Sequence, residues 1–260
     1  MGPPLMPSLR PVPAKAAARA QPELAGGVPY DSKTMKTRFP LLLLSYLLLT
    51  AAAHGQNLNA ILGSMDQAAA NFHTAQTDFV WDQYQKVVDE HDLQKGTMYF
   101  RRQGNDVQMA ADITAPDQKN VLFSQGIVRV YLPKADQVTE YDAGKNKGDF
   151  ETFLVLGFGG SGSDLQKSFD VKYSGMEQVQ GVNAGKLELT PKSPKVRNMF
   201  STITLWIDPA RGVSVQQKFQ EPSGDYRLAT YSNIQLNKKI SDNAFKLKTT
   251  KNTKVIRPQG

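Results

Sequence analysis

Cysteine is absent from all 260 residues. Its absence excludes disulfides, thiol nucleophiles and thiolate metal sites, and leaves no residue to carry the lipid of a bacterial lipoprotein. Histidine is scarce: beyond residue 55 only His73 and His91 remain. One ends an amphipathic stretch and the other sits in a polar turn, so a histidine-dependent hydrolase or a histidine-rich metal site lacks its parts. Carboxylates are present, but they fall in turns such as Asp89-Glu90 and at Asp142, without the pattern of paired acid–base work. Nor is there an apolar run of the ~20 residues that a membrane span requires.

The longest apolar run, Phe39–Leu49, has a different setting. Lys36 and Arg38 precede it as a basic region, and the small residues of Thr50–Gly55 follow it. That order is the pattern of a secretory signal peptide, here residues 35–55. Cleavage fits after Ala53 or Gly55, with Gly55 preferred. A retained membrane anchor is the alternative, disfavoured by length. Residues 1–34 are rich in Pro, Ala and Arg with little apolar periodicity, and cannot bury enough surface to offset ordering. They are expected to be a non-native or disordered extension ahead of a start at Met35. Residues 56–260 then form a single domain, exported without disulfides, as suits a bacterial periplasm.

The formal charge of +7 shrinks once residues 1–55 are set aside. They hold six of the 31 basic and two of the 24 acidic side chains, leaving 25 against 22. Charge therefore gives no support to a nucleic-acid partner. The remaining excess gathers near the end, at Lys238, Lys239, Lys246, Lys248, Lys251, Lys254 and Arg257. It reads as a solvated, fraying tail, or as weak attraction to acidic lipid head groups.

Leu58, Ile61, Leu62, Met65, Ala69 and Phe72 recur at helical spacing, predicting a helix over Asn57–Thr74 with Asn57 as its N-cap. From Gln76 to Val88 the period shortens to that of a strand. A β-meander follows over Gly96–Asp142: Gly96–Arg102, Asp106–Ile113, Lys119–Phe123, Ile127–Leu132 and Gln137–Asp142, separated by turns such as Ala115-Pro116-Asp117. Within it Val107, Met109, Ala111 and Ile113 alternate, as do Val128, Val130 and Leu132. Phe150, Phe153, Leu154 and Gly157 return to helical spacing. Gly157–Ser163 reads as a flexible break, and Asp164–Ser168 as a short helix capped by Ser163. Strands resume at Phe169–Val179, Ala184–Thr190, Met199–Asp208, Val213–Gln220 and Tyr226–Gln235, and a helical turn at Ser241–Phe245 precedes the basic tail. The sum is α+β, mainly β: about ten or eleven antiparallel strands in one curved sheet, with short helices against its inner face.

Gly157-Phe158-Gly159-Gly160-Ser161-Gly162 satisfies G-x-G-x-x-G, but it follows a helical stretch in an antiparallel protein. A dinucleotide fingerprint requires a preceding strand and a long following helix. The glycines do not form a nucleophile elbow either, because Ser163 stands where the last glycine belongs.

The segment GTMYFRRQGN through LPKADQVTEYD (Gly96–Asp142) resembles the LolA-type periplasmic outer-membrane lipoprotein carriers. That family shows a Gly-led strand ending in a basic residue, a strand before a proline turn, and a following Tyr-x-Pro hairpin. FETFLVLGFGG, KLELTPK (Lys186–Lys192), STITLWID and SDNAFKLKTTKNTKVI continue the likeness, which covers nearly all of Leu58–Ile256. The resemblance implies an incomplete antiparallel β-barrel of about eleven strands covered by short α-helices. It implies a cavity for lipoprotein acyl chains, loaded by an inner-membrane lipoprotein-releasing ABC transporter and emptied at an outer-membrane receptor. It also implies a monomer with no catalytic residue, metal or cofactor. A strand arginine that bonds to lid backbone corresponds to Arg102, although Gln103 stands where the family usually has proline. The residues agree in parity: Arg102 shares the apolar face with Met98 and Phe100, while Arg101 and Tyr99 face away. The bland alternative for Arg102 is a wet strand-end charge. Two fold relatives stay open: the receptor itself, normally a lipoprotein, and RseB-like lipid-sensing regulators.

A cavity for acyl chains needs apolar walls from both sheet and cover. The candidates on the sheet are Met98, Phe100, Met109, Val130, Leu132, Leu189, Ile203 and Leu205. On the cover they are Phe153, Leu154 and Phe158, with Leu62 and Met65 of the first helix. Any one of them could equally be ordinary core, because every sheet core alternates. The glycine-rich break beside an apolar helix is what gives the cover something to swing on.

Overall fold

The strand alternation of the sequence is realised as one continuous sheet. In the computed structural model, residues 57–104, 106–142 and 156–258 are described. The expected signal peptide, residues 1–34, and Phe150, Phe153 and Leu154 lie outside the described residues. Helix α1 spans 57–70 and leads into β1 (Thr74–Gln85), β2 (Glu90–Gln103), β3 (Asp106–Ala115), β4 (Lys119–Ser124), β5 (Ile127–Leu132) and β6 (Gln137–Asp142). Helix α2 (Gly162–Ser168) precedes β7 (Phe169–Val179) and β8 (Val182–Pro191); α3 (Pro194–Met199) precedes β9 (Thr202–Asp208), β10 (Val213–Gln220) and β11 (Tyr226–Leu236). A 3₁₀ turn at Asp242–Phe245 and β12 (Lys254–Ile256) come last.

The spatial order is β12-β6-β5-β4-β3-β2-β1-β11-β10-β9-β8-β7. Neighbours are antiparallel except β12, which runs parallel to β6. The sheet is open, an incomplete barrel whose end strands are β12 and β7. Its inner face carries Phe79, Phe100, Ala111 and Tyr231 on one half, and Leu187, Leu189, Ile203 and Leu205 on the other. Helix α1 lies across both halves. Ile61, Leu62 and Met65 pack with the second set, and Phe72, just past the helix end, with the first.

The helix stops at residue 70, short of the expected Thr74. Asn237 supplies the reason: its Nδ2 donates to Asn71 O (2.9 Å) and its Oδ1 accepts from His73 N (2.9 Å). Those bonds satisfy groups that a longer helix would have paired internally, and they turn the chain into β1. Helix α2 is capped by Ser161, whose hydroxyl accepts from Asp164 N, and not by Ser163. Helix α3 occupies residues just ahead of β9 and takes in Met199, expected to open a strand; Pro194 in its first turn has no N–H to lose there.

The basic tail is no frayed end. Val255 pairs with Val138, and Arg257 Nε donates to Glu140 Oε2 (2.7 Å). Upstream, Phe245 is buried on the outer face against Ala110 and Leu122, with Ile240 and Leu247 alongside. The Arg101 guanidinium lies 4.2 Å from the Phe245 ring centroid and pairs with Asp242, fastening this segment to β2.

Candidate functional site

The two halves of the inner face are filled differently. Under α1, the side chains Met65, Leu156, Leu187, Leu189, Ile203, Leu205 and Ile207 are almost completely buried against one another. Toward β2–β5, a cavity of about 370 Å³ remains. Its walls follow the period of two. Phe79 and Trp81 come from β1, Met98 and Phe100 from β2, Met109, Ala111 and Ile113 from β3, and Val121 and Val128 from β4 and β5. Gln217, Phe219, Arg227, Ala229 and Tyr231 complete it from β10 and β11, and Met199 and Phe200 from the end of α3. Arg227 is the one charged side chain among these residues.

Of the expected wall residues, Met98, Phe100 and Met109 line this cavity. Val130 lies beside Val121 on the same face, one step past the lining, and Leu132 is 37 % exposed near the end of β5. Leu62, Met65, Leu189, Ile203 and Leu205 are instead buried together in the core under α1. Phe158 is 1 % exposed and sits behind the wall, stacked on Phe100 (5.0 Å between centroids) and edge-on to Tyr231 (4.9 Å).

The turn 156–159 that carries Phe158 is held to the sheet at three points. Arg102 Nη2 donates to Gly159 O (2.6 Å), and its Nη1 to Ala69 O in the last turn of α1 (3.0 Å). One guanidinium thus joins the cover turn, the helix end and β2, with its central carbon 5.5 Å from the Phe72 ring centroid. Ser214 N donates to Gly157 O (2.9 Å). The third tie is a buried relay: Tyr231 OH donates to Gln217 Oε1 (3.1 Å), and Gln217 Nε2 donates to Leu156 O. Burial pushes the Tyr231 phenol far above its ordinary value, so it stays a protonated donor. Gln217 and Tyr231 both line the cavity. Neither stood out in the sequence, where their parity with Phe219 and Ala229 on β10 and β11 was the available signal.

The glycine run is not the loose break its composition suggested. Gly157 (φ 82°) and Gly159 (φ 86°) occupy the left-handed region where other residues are strained. A Cβ on Gly159 would lie 2.6 Å from the Phe72 ring, and one on Gly157 would lie 2.3 Å from Ser214 Cβ. These residues are glycine because the cover sits flat on its neighbours. Asp66 Oδ1 accepts from Ser163 N (3.1 Å), adding a link from α1 to the start of α2. The Asp164 carboxyl is held below the usual range by hydrogen bonds from Lys167 and Ser161.

The arrangement is thus an open half-barrel with an apolar hollow and, beside it, a helix and a turn latched through one arginine. The model of the family "Outer membrane lipoprotein carrier protein LolA" matches residues 70–248, and the chain belongs to that family. No curated protein matches the chain. Solved structures of similar fold include the MucA/MucB complex of Pseudomonas aeruginosa (15 % identity, TM-score 0.46, covering 74 % of this chain and 61 % of that one). Others are an uncharacterized conserved protein of Thermus thermophilus (12 %, TM-score 0.48, 76 % and 97 %) and LprF of Mycobacterium bovis (14 %, TM-score 0.44, 72 % and 95 %). The chain spans less than two thirds of the length of the MucB chain.

Proposed function

We propose that this protein is a carrier that binds lipoprotein acyl chains without covalent chemistry or turnover, in the periplasm, between an inner-membrane ABC transporter and an outer-membrane receptor. The observation that carries this reading is the apolar hollow of about 370 Å³ beside the latched cover. A dry, apolar hole of about 150 Å³ already admits benzene, so this volume corresponds to roughly fifteen carbon atoms. Each methylene transferred from water contributes about 0.8 kcal/mol, which favours an alkyl chain there over bulk solvent. In this reading the bonds of Arg102 to the Gly159 and Ala69 carbonyls hold the cover beside the hollow, and their release lets the cover move when a chain enters or leaves.

The test is native mass spectrometry of the protein purified from its own host, combined with crosslinking from a photoreactive residue at Met109. Bound acyl-chain masses and a lipoprotein adduct at that position are expected. A lipid-free protein that gives no crosslink would contradict the proposal. A lipid-sensing role predicts capture of a membrane-anchored regulator, with outer-membrane lipoprotein sorting unchanged when the protein is depleted.

A further inference from the structure

The cavity is predominantly apolar, and the one charged side chain among its lining residues is a guanidinium. β11 alternates, placing Ala229 and Tyr231 on the inner face with Arg227 two residues earlier. Arg227 pairs across the sheet with Phe219 and lies 5.8 Å from the Phe200 ring centroid. Its side chain is 45 % exposed, so it stands where the hollow meets water. Arg227 Nη2 is 3.0 Å from Glu221 Oε1, in the loop between β10 and β11. A guanidinium has five donors in a planar fork that fits a carboxylate through two parallel bonds. Glu221 already brings one carboxylate to this guanidinium at the rim, through a single 3.0 Å contact.

We infer that the cavity also takes a long-chain carboxylate, a free fatty acid, with its alkyl chain inside and its head group on Arg227 in place of Glu221. This rests on the reading that the hollow accepts hydrocarbon. Two features favour a single-chain acid over a bulkier lipid. The volume suits roughly one chain of about fifteen carbons, and the rim presents one cation already matched to a carboxylate. The exchange of one carboxylate for another leaves the count of ion pairs at Arg227 unchanged, while the chain supplies the favourable transfer from water.

The experiment uses the full-length protein stripped of lipid, titrated by calorimetry with hexadecanoate, neutral monopalmitoylglycerol, palmitoyl-lysophosphatidylglycerol and cationic hexadecyltrimethylammonium, each below its micelle concentration. The wild type should bind hexadecanoate and monopalmitoylglycerol about equally, because the acid only exchanges one ion pair at Arg227 for another. In Arg227→Gln the two should bind equally, at the neutral ligand's affinity. Glu221→Gln, which removes the competing carboxylate, should give hexadecanoate about a tenfold advantage over the neutral ligand, the scale of one charge-assisted hydrogen-bonded pair. Adding Arg227→Lys to Glu221→Gln should keep part of that advantage. Binding of all four amphiphiles alike in Glu221→Gln, a preference that survives in Arg227→Gln, or a preference for the lysophospholipid over hexadecanoate would each overturn the inference and leave hydrocarbon binding standing. Binding of none would instead remove the carrier reading itself. The rim exposure of Arg227 means these variants should unfold at wild-type temperatures, which circular dichroism checks.

Discussion

Arg102 joins the cover to the sheet with a single side chain, because one planar group satisfies two carbonyls on separate elements. Replacing it with Leu leaves the Gly159 oxygen without the Arg102 donor and the Ala69 oxygen with Phe72 N alone, at a cost of about 1–3 kcal/mol. For a domain of this size each kcal/mol lowers the melting temperature by about 2–4 °C. The more selective readout is hydrogen exchange: protection at 156–162 should fall roughly ten- to a hundredfold in Arg102→Leu, with β7–β9 unchanged. A uniform loss across the sheet would show that Arg102 merely supports the fold. At Gly159 the sign is set by geometry. Ala there meets the Phe72 ring at 2.6 Å and a φ of 86°, costing about 1–3 kcal/mol of strain, seen as a lower urea midpoint with an unchanged slope. Arg102 was legible in the sequence because its parity with Met98 and Phe100 fixes which way it faces. Gly159 was misjudged because composition alone cannot tell a glycine that frees the chain from one that lets surfaces touch.

Among the elements, β5, β6, β7 and β10 match their sequence limits, β7 and β10 despite register shifts at Tyr173/Met176 and Ser214/Gln216. The pieces that were not legible depend on distant partners. Helix α1 ends where Asn237, far along the chain, takes its last groups. The tail becomes a strand only because β6 presents an edge to it. That edge is tied by Asp136, whose carboxylate accepts from Thr250 Oγ1 and Thr253 Oγ1 (2.6 Å each). These bonds, with a third from Tyr131, hold the Asp136 carboxyl below its ordinary value. A depressed carboxylate stabilises the fold above the unfolded value of about 4 and loses that contribution as pH falls through the lower folded value. Exchange protection of 254–256 should therefore be full at neutral pH and fade in acid below about pH 4. Asp136→Asn should flatten that dependence, and a pH-independent tail in the wild type would exclude Asp136 as its anchor.

At the scale of the molecule, the open sheet and its inner apolar face were readable from the period of two. Which half of that face is hollow was not. Leu189, Ile203 and Leu205 alternate as regularly as Met98, Phe100 and Met109, yet the first group is sealed by α1 and the second faces space. Alternation specifies a face, whereas hollowness depends on what lies opposite it. Filling the space should separate stability from binding. Ala111→Phe adds apolar volume to a wall of the cavity, so its melting temperature should equal or exceed that of the wild type while alkyl binding falls more than tenfold. Lower stability with binding retained would mean that the residue is ordinary core.

The most direct measurement is a chain-length series: calorimetric affinity of the lipid-free protein for neutral alkyl ligands of increasing length. If hydrocarbon completes the interior, affinity should rise about fourfold per methylene, the equivalent of ~0.8 kcal/mol. It should level off near roughly fifteen carbons, when the cavity is full. An affinity that does not change with length would contradict the account.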